Sequence, residues 1–215
     1  MRTVTVTVGP LASAVANNIA LSQTPTTTFT LNGSLVSGGV ATLDKARRVL
    51  FTPAGNESSN TFTIVGTDLA GNPQTDVVAG ANATATYSAL DFLTVTSITC
   101  LNSAAGAITV GTNGVAASGW VCLDEWAPAA TALQTVVSGT VNYTVQQTLD
   151  DPNSTTAPVT KYLMTWFSSP DSNLVGATGN VQSNYAFTPR YVRVLLNSGT
   201  GSVTFKVSQT GVNPR

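Results

Sequence analysis

In the stretch GTVNYTVQQTLDDPNS, Gly139 to Ser154, two aspartates stand side by side. Asp150 and Asp151, followed by Pro152, raise three readings. A glycosidase needs two carboxylates at a set separation. A calcium ion needs several oxygen ligands, which Asp150, Asp151 and Asn153 could offer with a distant acid. The third reading is an Asp-Pro turn that ends a strand, and it leads. Adjacent residues of a strand point to opposite sides, the spacing of an EF-hand is absent, and aspartates in turns bond their own backbone.

The rest of the chemistry is thin. Asp44, Glu57, Asp68, Asp76, Asp91, Asp124, Glu125 and Asp171 complete the ten acids, most of them in turn contexts. The chain has no histidine. That removes the commonest general base, the triad base and the commonest metal ligand together. No GxSxG, P-loop or GxGxxG run occurs. Cys100 and Cys122, without histidine, make neither a zinc site nor an activated Cys–His pair. They read as two buried thiols in a reducing compartment, with a bridge across a domain junction as the alternative. Trp120, Trp126 and Trp166 raise sugar binding, because aromatic faces stack on sugars, although a tryptophan beside a sandwich core is the commoner case. The expectation is no catalytic residue, no metal ligand and no cofactor.

Charged residues make up only 9% of the 215, and the net charge is −1. The polar surface must then come from Thr, Ser, Asn and Gln. Such a surface repels itself weakly and suits a protein inside a larger assembly. Arg47-Arg48 is the only basic doublet, so nucleic acid is not an expected partner. No apolar run is long enough for a membrane helix. The start, MRTVTVTVGP, alternates valine with threonine and reads as a strand and not as a signal peptide, so cytoplasmic synthesis is expected.

The elements that must position these residues are strands. Period-two runs recur: NTFTIVG, FLTVTSIT, AITVG, YVRVLL and SVTFKV. In FLTVTSIT, Phe92, Thr94, Thr96 and Ile98 fall on one face and Leu93, Val95 and Ser97 on the other. Turn clusters separate the runs at 53–60, 68–74, 101–107 and 197–202. One helical turn capped by Thr42, or coil, is expected in ATLDKARR, 41–48. The small, flexible run TNGVAAS, 112–118, marks a boundary. The chain is therefore expected to be all-β, with two antiparallel β-sandwich domains in tandem, jelly-roll or immunoglobulin-like. They would span 1–117 and 118–215. The strand at 2–8 would be free to pair with a neighbour's edge.

The second half resembles a β-sandwich domain of tailed-bacteriophage virion proteins. The likeness is carried in order by CLDEW (122–126), VSGTVNYTVQQTLDDP (137–152), WFSSPD (166–171) and PRYVRVLLNSGTGSVTFKVSQTG (189–211). The first half also looks like phage structural sequence, in ARRVLFTPAGNESSNTFTIVGTDLAGNP (46–73) and FLTVTSIT (92–99). The resemblance implies a non-enzymatic particle protein of the head decoration or cement type. Its implied partners are the major capsid protein or other virion proteins, with homo-oligomers matched to the lattice. Its implied location is the virion, assembled in the host cytoplasm.

Overall fold

The structure is a computed structural model that describes residues 2–124 and 131–209. The period of two becomes strand. The first ten strands are β1 (Arg2–Val8), β2 (Val15–Gln23), β3 (Val36–Ser37), β4 (Val40–Arg47), β5 (Val49–Pro53), β6 (Thr61–Thr67), β7 (Pro73–Ala79), β8 (Thr86–Tyr87), β9 (Phe92–Cys100) and β10 (Ile108–Thr112). Then come β11 (Ala116–Ala117), β12 (Val121–Cys122), β13 (Thr131–Ser138), β14 (Val141–Thr148), β15 (Phe167–Ser168), β16 (Val181–Tyr185), β17 (Tyr191–Gly199) and β18 (Ser202–Gln209). Among the described residues the only helical pieces are two 3-10 turns, Lys161–Leu163 and Ser172–Leu174. The chain is all-β, and its strand pairs are antiparallel.

Two compact units form. One, the inserted unit, is Ala12–Gly114; the other, the terminal unit, joins Met1–Leu11 to Val115–Arg215. The junction at 114 falls inside the expected linker run. The first strand does not follow the expected division at 117, because β1 pairs along its whole length with β18, from Arg2 opposite Gln209 to Val8 opposite Val203. Alternation identifies a strand but not its partner, so this long-range pairing is invisible in the sequence.

The terminal unit has two sheets, ordered β1-β18-β13-β16 and β11-β17-β14-β15, with β12 also on β17. Their facing side chains share one core. Val8, Leu133, Val203, Phe205 and Val207 come from the first sheet, and Val141, Tyr143, Val145, Val192, Val194 and Leu196 from the second. The Tyr143 hydroxyl is buried and satisfied, 2.6 Å from the Thr135 hydroxyl and 2.8 Å from the Gly179 carbonyl.

The inserted unit also has two sheets, β2-β10-β5-β8 and β3-β4-β9-β6-β7. Phe51 of the first stacks on Phe62 of the second, with ring centroids 4.7 Å apart, and Phe29 meets both rings edge-on. Aromatic burial of this kind contributes more than any other single contact in so small a core.

Residues 41–47 belong to β4 and are neither a helical turn nor coil. Ala41 and Leu43 are buried while Thr42 and Asp44 face out, so period two wins over the weak capping signal. In β9 the alternation breaks. The register against β6 shifts between Val65 and Gly66, which face Ser97 and Val95. The bulge skips Thr96 and turns Val95 into the core with Phe92 and Ile98. Gly66 sits opposite the bulge because a Cβ there would run into the Thr94 carbonyl.

Arg47 is fully buried and ties both ends of the inserted unit. Its guanidinium donates to the Ala12 carbonyl at 2.8 Å, to the Asn113 carbonyl, and to Asp44 at 3.0 Å. The Asp44 carboxylate also accepts the Ala12 N–H at 2.7 Å. Partial burial opposes the Asp44 charge, but the Ala12 N–H and the Arg47 guanidinium outweigh it and hold the carboxyl below its usual range. Residues 12–114 expressed alone are expected to unfold in one cooperative urea transition followed by circular dichroism. Arg47→Ala in that fragment is expected to cost about 2 kcal/mol, less than for a fully buried pair because Asp44 is partly exposed. Equal stability of variant and parent would show that the clamp is not structural.

Candidate functional site

Asp150 and Asp151 lie two and three residues beyond the end of β14 at Thr148, outside the strand, and their carboxylates take different partners. Asp150 accepts the Thr165 N–H at 2.6 Å. Asp151 accepts the Asn153 N–H at 2.8 Å and the Tyr191 hydroxyl at 3.2 Å, and its other oxygen lies 2.9 Å from Arg190 Nε. One aspartate therefore holds the far end of the loop 149–166, and the other holds its near end to the start of β17. The Asn153 N–H does most to keep the Asp151 carboxyl below its usual range, with the Arg190 charge adding to it. Asn153 itself turns its amide to Tyr191 at 3.3 Å. The arrangement ties a loop; it does not present two carboxylates to a common point.

The other described acids are likewise engaged within the chain. Glu57 is buried and accepts the Ala105 and Gly106 N–H groups at 2.7 and 3.1 Å and the Asn60 amide at 3.1 Å. Asp68 accepts the Ala70 and Asn72 N–H groups, both at 2.9 Å. Asp76 is fully buried and accepts the Leu90 N–H at 2.8 Å. Burial raises its carboxyl against the pull of three backbone N–H groups and the Arg48 charge. Asp91 pairs with Arg48 at 2.9 Å. Asp171 accepts the Ser183 hydroxyl at 2.6 Å and the Asn173 N–H at 3.0 Å, and these bonds, in that order, lower its carboxyl. Asp124 joins Gln209 through its backbone. Glu125 lies outside the described residues. Among those described, no three His, Cys, Asp or Glu side chains gather in a way that could hold a metal ion.

The tryptophans do converge. Trp120 and Trp166 lie 5.4 Å apart by ring centroid, tilted by 57°, and Trp120 lies 5.9 Å from Tyr191. The Arg193 guanidinium sits 3.9 Å over the Trp166 ring, and its Nε donates to Gln146 at 2.9 Å. Alternation explains the gathering. In β17, Val192, Val194 and Leu196 enter the core, so Tyr191 and Arg193 face outward, opposite Thr148 and Gln146 of β14. The loop 149–166 returns across this face and sets Trp166 on Arg193. Both tryptophans are half-buried. Trp126 lies outside the described residues. Tyr191 and Arg193 are themselves buried, so only the two half-buried indoles offer aromatic surface, and the Trp166 ring is engaged by the guanidinium through cation–π attraction. Tyr191 and Arg193 carry no motif, and only the same-face rule along YVRV could have flagged them.

Neither cysteine forms a disulfide. Cys100 is buried, and burial raises its thiol. Cys122 is exposed and not buried as expected, because β12 sets Val121 against Val192 in the core and turns Cys122 outward beside Tyr191.

Comparison with known protein families, with curated proteins and with solved structures finds no match.

Two outcomes follow from this geometry. Cys122 is expected to react with a thiol reagent in the folded protein, and Cys100 only after unfolding; equal rates in the native state would contradict the placement. Asp150→Asn combined with Asp151→Asn is expected to keep the turn bonds and lose the charge pair with Arg190. The Asp151 carboxyl is lowered by folding, so its stabilisation is present above the ordinary carboxylate pKa and lost as pH falls through the folded value. The melting temperatures of wild type and variant should therefore differ at neutral pH and converge in strong acid. Calcium should shift neither, and a calcium-dependent rise lost in the variant would replace the loop-tie reading with a metal site.

Proposed function

We propose that this chain is a non-enzymatic structural protein of a tailed-bacteriophage particle that decorates and stabilises the capsid surface. One observation supports this most: charged residues are only 9% of the chain, and most of the described acids are engaged within it. The outward positions of the sheet that holds β1 carry Thr3, Thr5 and Thr7 on β1, Gln134 on β13, Gln182 and Asn184 on β16, and Thr204 with one lysine, Lys206, on β18. The acids described above are spent on the chain's own turns and arginines. Cores of protein interfaces are depleted in charge, because desolvating a charge is costly, while threonine and amide groups can exchange water for partner bonds at little cost. The virion-protein resemblance of residues 122–211 points the same way.

The partners in this reading are the major capsid protein or other virion proteins and further copies of this chain. A protein that binds only the assembled lattice stabilises it by mass action. A tail or head–tail junction protein is the nearest rival, and copy number separates the two. The half-buried Trp120 and Trp166 carry a second reading, a carbohydrate-binding module for host attachment, because aromatic faces stack on sugars.

The test adds purified protein to particles that lack it. Binding at a copy number on the order of hundreds, set by lattice symmetry, with a higher temperature of head disruption, is expected. A handful of copies at one vertex would move the protein to the tail machinery. Glycan binding that Trp166→Ala abolishes, without particle binding, would establish the carbohydrate reading in its place.

A further inference from the structure

The edges of the four sheets are not equally protected. An unpaired edge strand invites another strand, and proteins blunt such edges with short strands, bulges, proline or inward charges. Here β3, β8, β11, β12 and β15 are two residues each. The pairing of β2 with β10 shifts register twice. β7 opens with Pro73 and turns the buried Asp76 inward. β16 has five residues. β1 has none of these devices. It runs for seven residues in unbroken register with β18 and carries no charge after Arg2. Among the described residues, its backbone bonds only β18. Its inner side chains Val4 and Val6 pack on the core but stay partly exposed.

We infer that β1 pairs antiparallel with β1 of a second copy of this chain, about a twofold axis at Thr5. Residues opposite one another in an antiparallel pair share a face, so the two copies extend one sheet with the valines continuous on the core side. Thr3 of one copy faces Thr7 of the other, Val4 faces Val6, and Thr5 faces its own twin. Thr–Thr pairs suit this position, since Thr7 and Thr204 already lie hydroxyl to hydroxyl at 3.2 Å in the β1–β18 pair. Arg2 falls opposite Val8, so no charge meets a like charge. Lys206 stands beside Thr5 on β18. The two copies of that lysine lie three strand spacings apart, about 14 Å, beyond the screening length of about 8 Å. The same operation is isologous and closes on itself, giving a dimer and not a filament.

The pairing rests only on the homo-oligomer part of the proposed function. Its failure is read in solution, and the failure of particle binding is read on particles. The test uses the full chain with Cys122→Ser. Thr5→Cys in that background is expected to form a disulfide-linked dimer on mild oxidation, since opposed strand residues have the Cα spacing a disulfide needs. Thr5→Glu places its carboxylate beside Lys206 in its own chain but against its twin across the axis. It is expected to keep the melting temperature while weakening dimerisation, by sedimentation, by up to about five-fold. Mixing Thr5→Glu with Thr5→Lys should restore the dimer. A Thr5→Cys chain that stays monomeric would overturn the inference. So would cross-linking to Gln182→Cys on β16 in place of its own twin, or Thr5→Glu associating as tightly as the parent.

Discussion

A single buried guanidinium fixes how the two ends of the inserted unit meet. Arg47 must find anionic or carbonyl partners, because a fully buried charge without them would cost several kcal/mol. It finds them at Ala12, Asp44 and Asn113. Two of these are the first residue of the inserted unit and one of its last. Satisfying one side chain therefore brings the two ends of a unit of about a hundred residues together. Ends held side by side are what allows a domain to sit within another chain segment. The consequence is that β1 can belong with β18 although the inserted unit lies between them in sequence.

Charge is scarce, and the chain uses what it has internally. Arg48 holds Asp91, Arg190 holds Asp151, and Arg193 lies on Trp166. Glu57, Asp68 and Asp171 spend their oxygens on turn N–H groups or hydroxyls. These bonds tie the turns to the strands they join. The outward faces are then left to threonine, serine and amides. The same economy that fixes the loops leaves a neutral exterior, and so the internal ion pairs and the proposed assembly role are one property of the composition.

Alternation made most of the strands legible, and the all-β class followed from it. It failed where the period breaks. Thr96 is bulged out of β9, which a strict period of two cannot represent, and Val95 therefore changes face. At 41–48 alternation was right, and it was the weak capping signal that misled. Long-range partnership was not legible at all, because nothing in RTVTVTV names β18. At the candidate site, strand adjacency does not account for the separate partners of Asp150 and Asp151, because both lie beyond the end of β14. The gathering of Trp120, Trp166, Tyr191 and Arg193 was not legible, since it depends on a long loop folding back over a sheet face.

Does the Arg47 clamp help β1 find β18, or only complete the inserted unit? Magnitudes decide. With the inserted unit unfolded, closing the β1–β18 pair closes nearly the whole chain, since Val8 meets Val203. With that unit folded and its ends tied, the flexible loop is roughly halved. Halving a loop is worth only about 0.6 kcal/mol of closure entropy. The β1–β18 ladder carries seven residue pairs and sets Val8 and the partly exposed Val4 and Val6 against the core. Full burial of one valine alone is worth about 1.5 kcal/mol or more. The ladder and its valine face therefore hold β1 in place, and the clamp chiefly satisfies charges inside its own unit. Each unit draws its stability from its own pair of sheets.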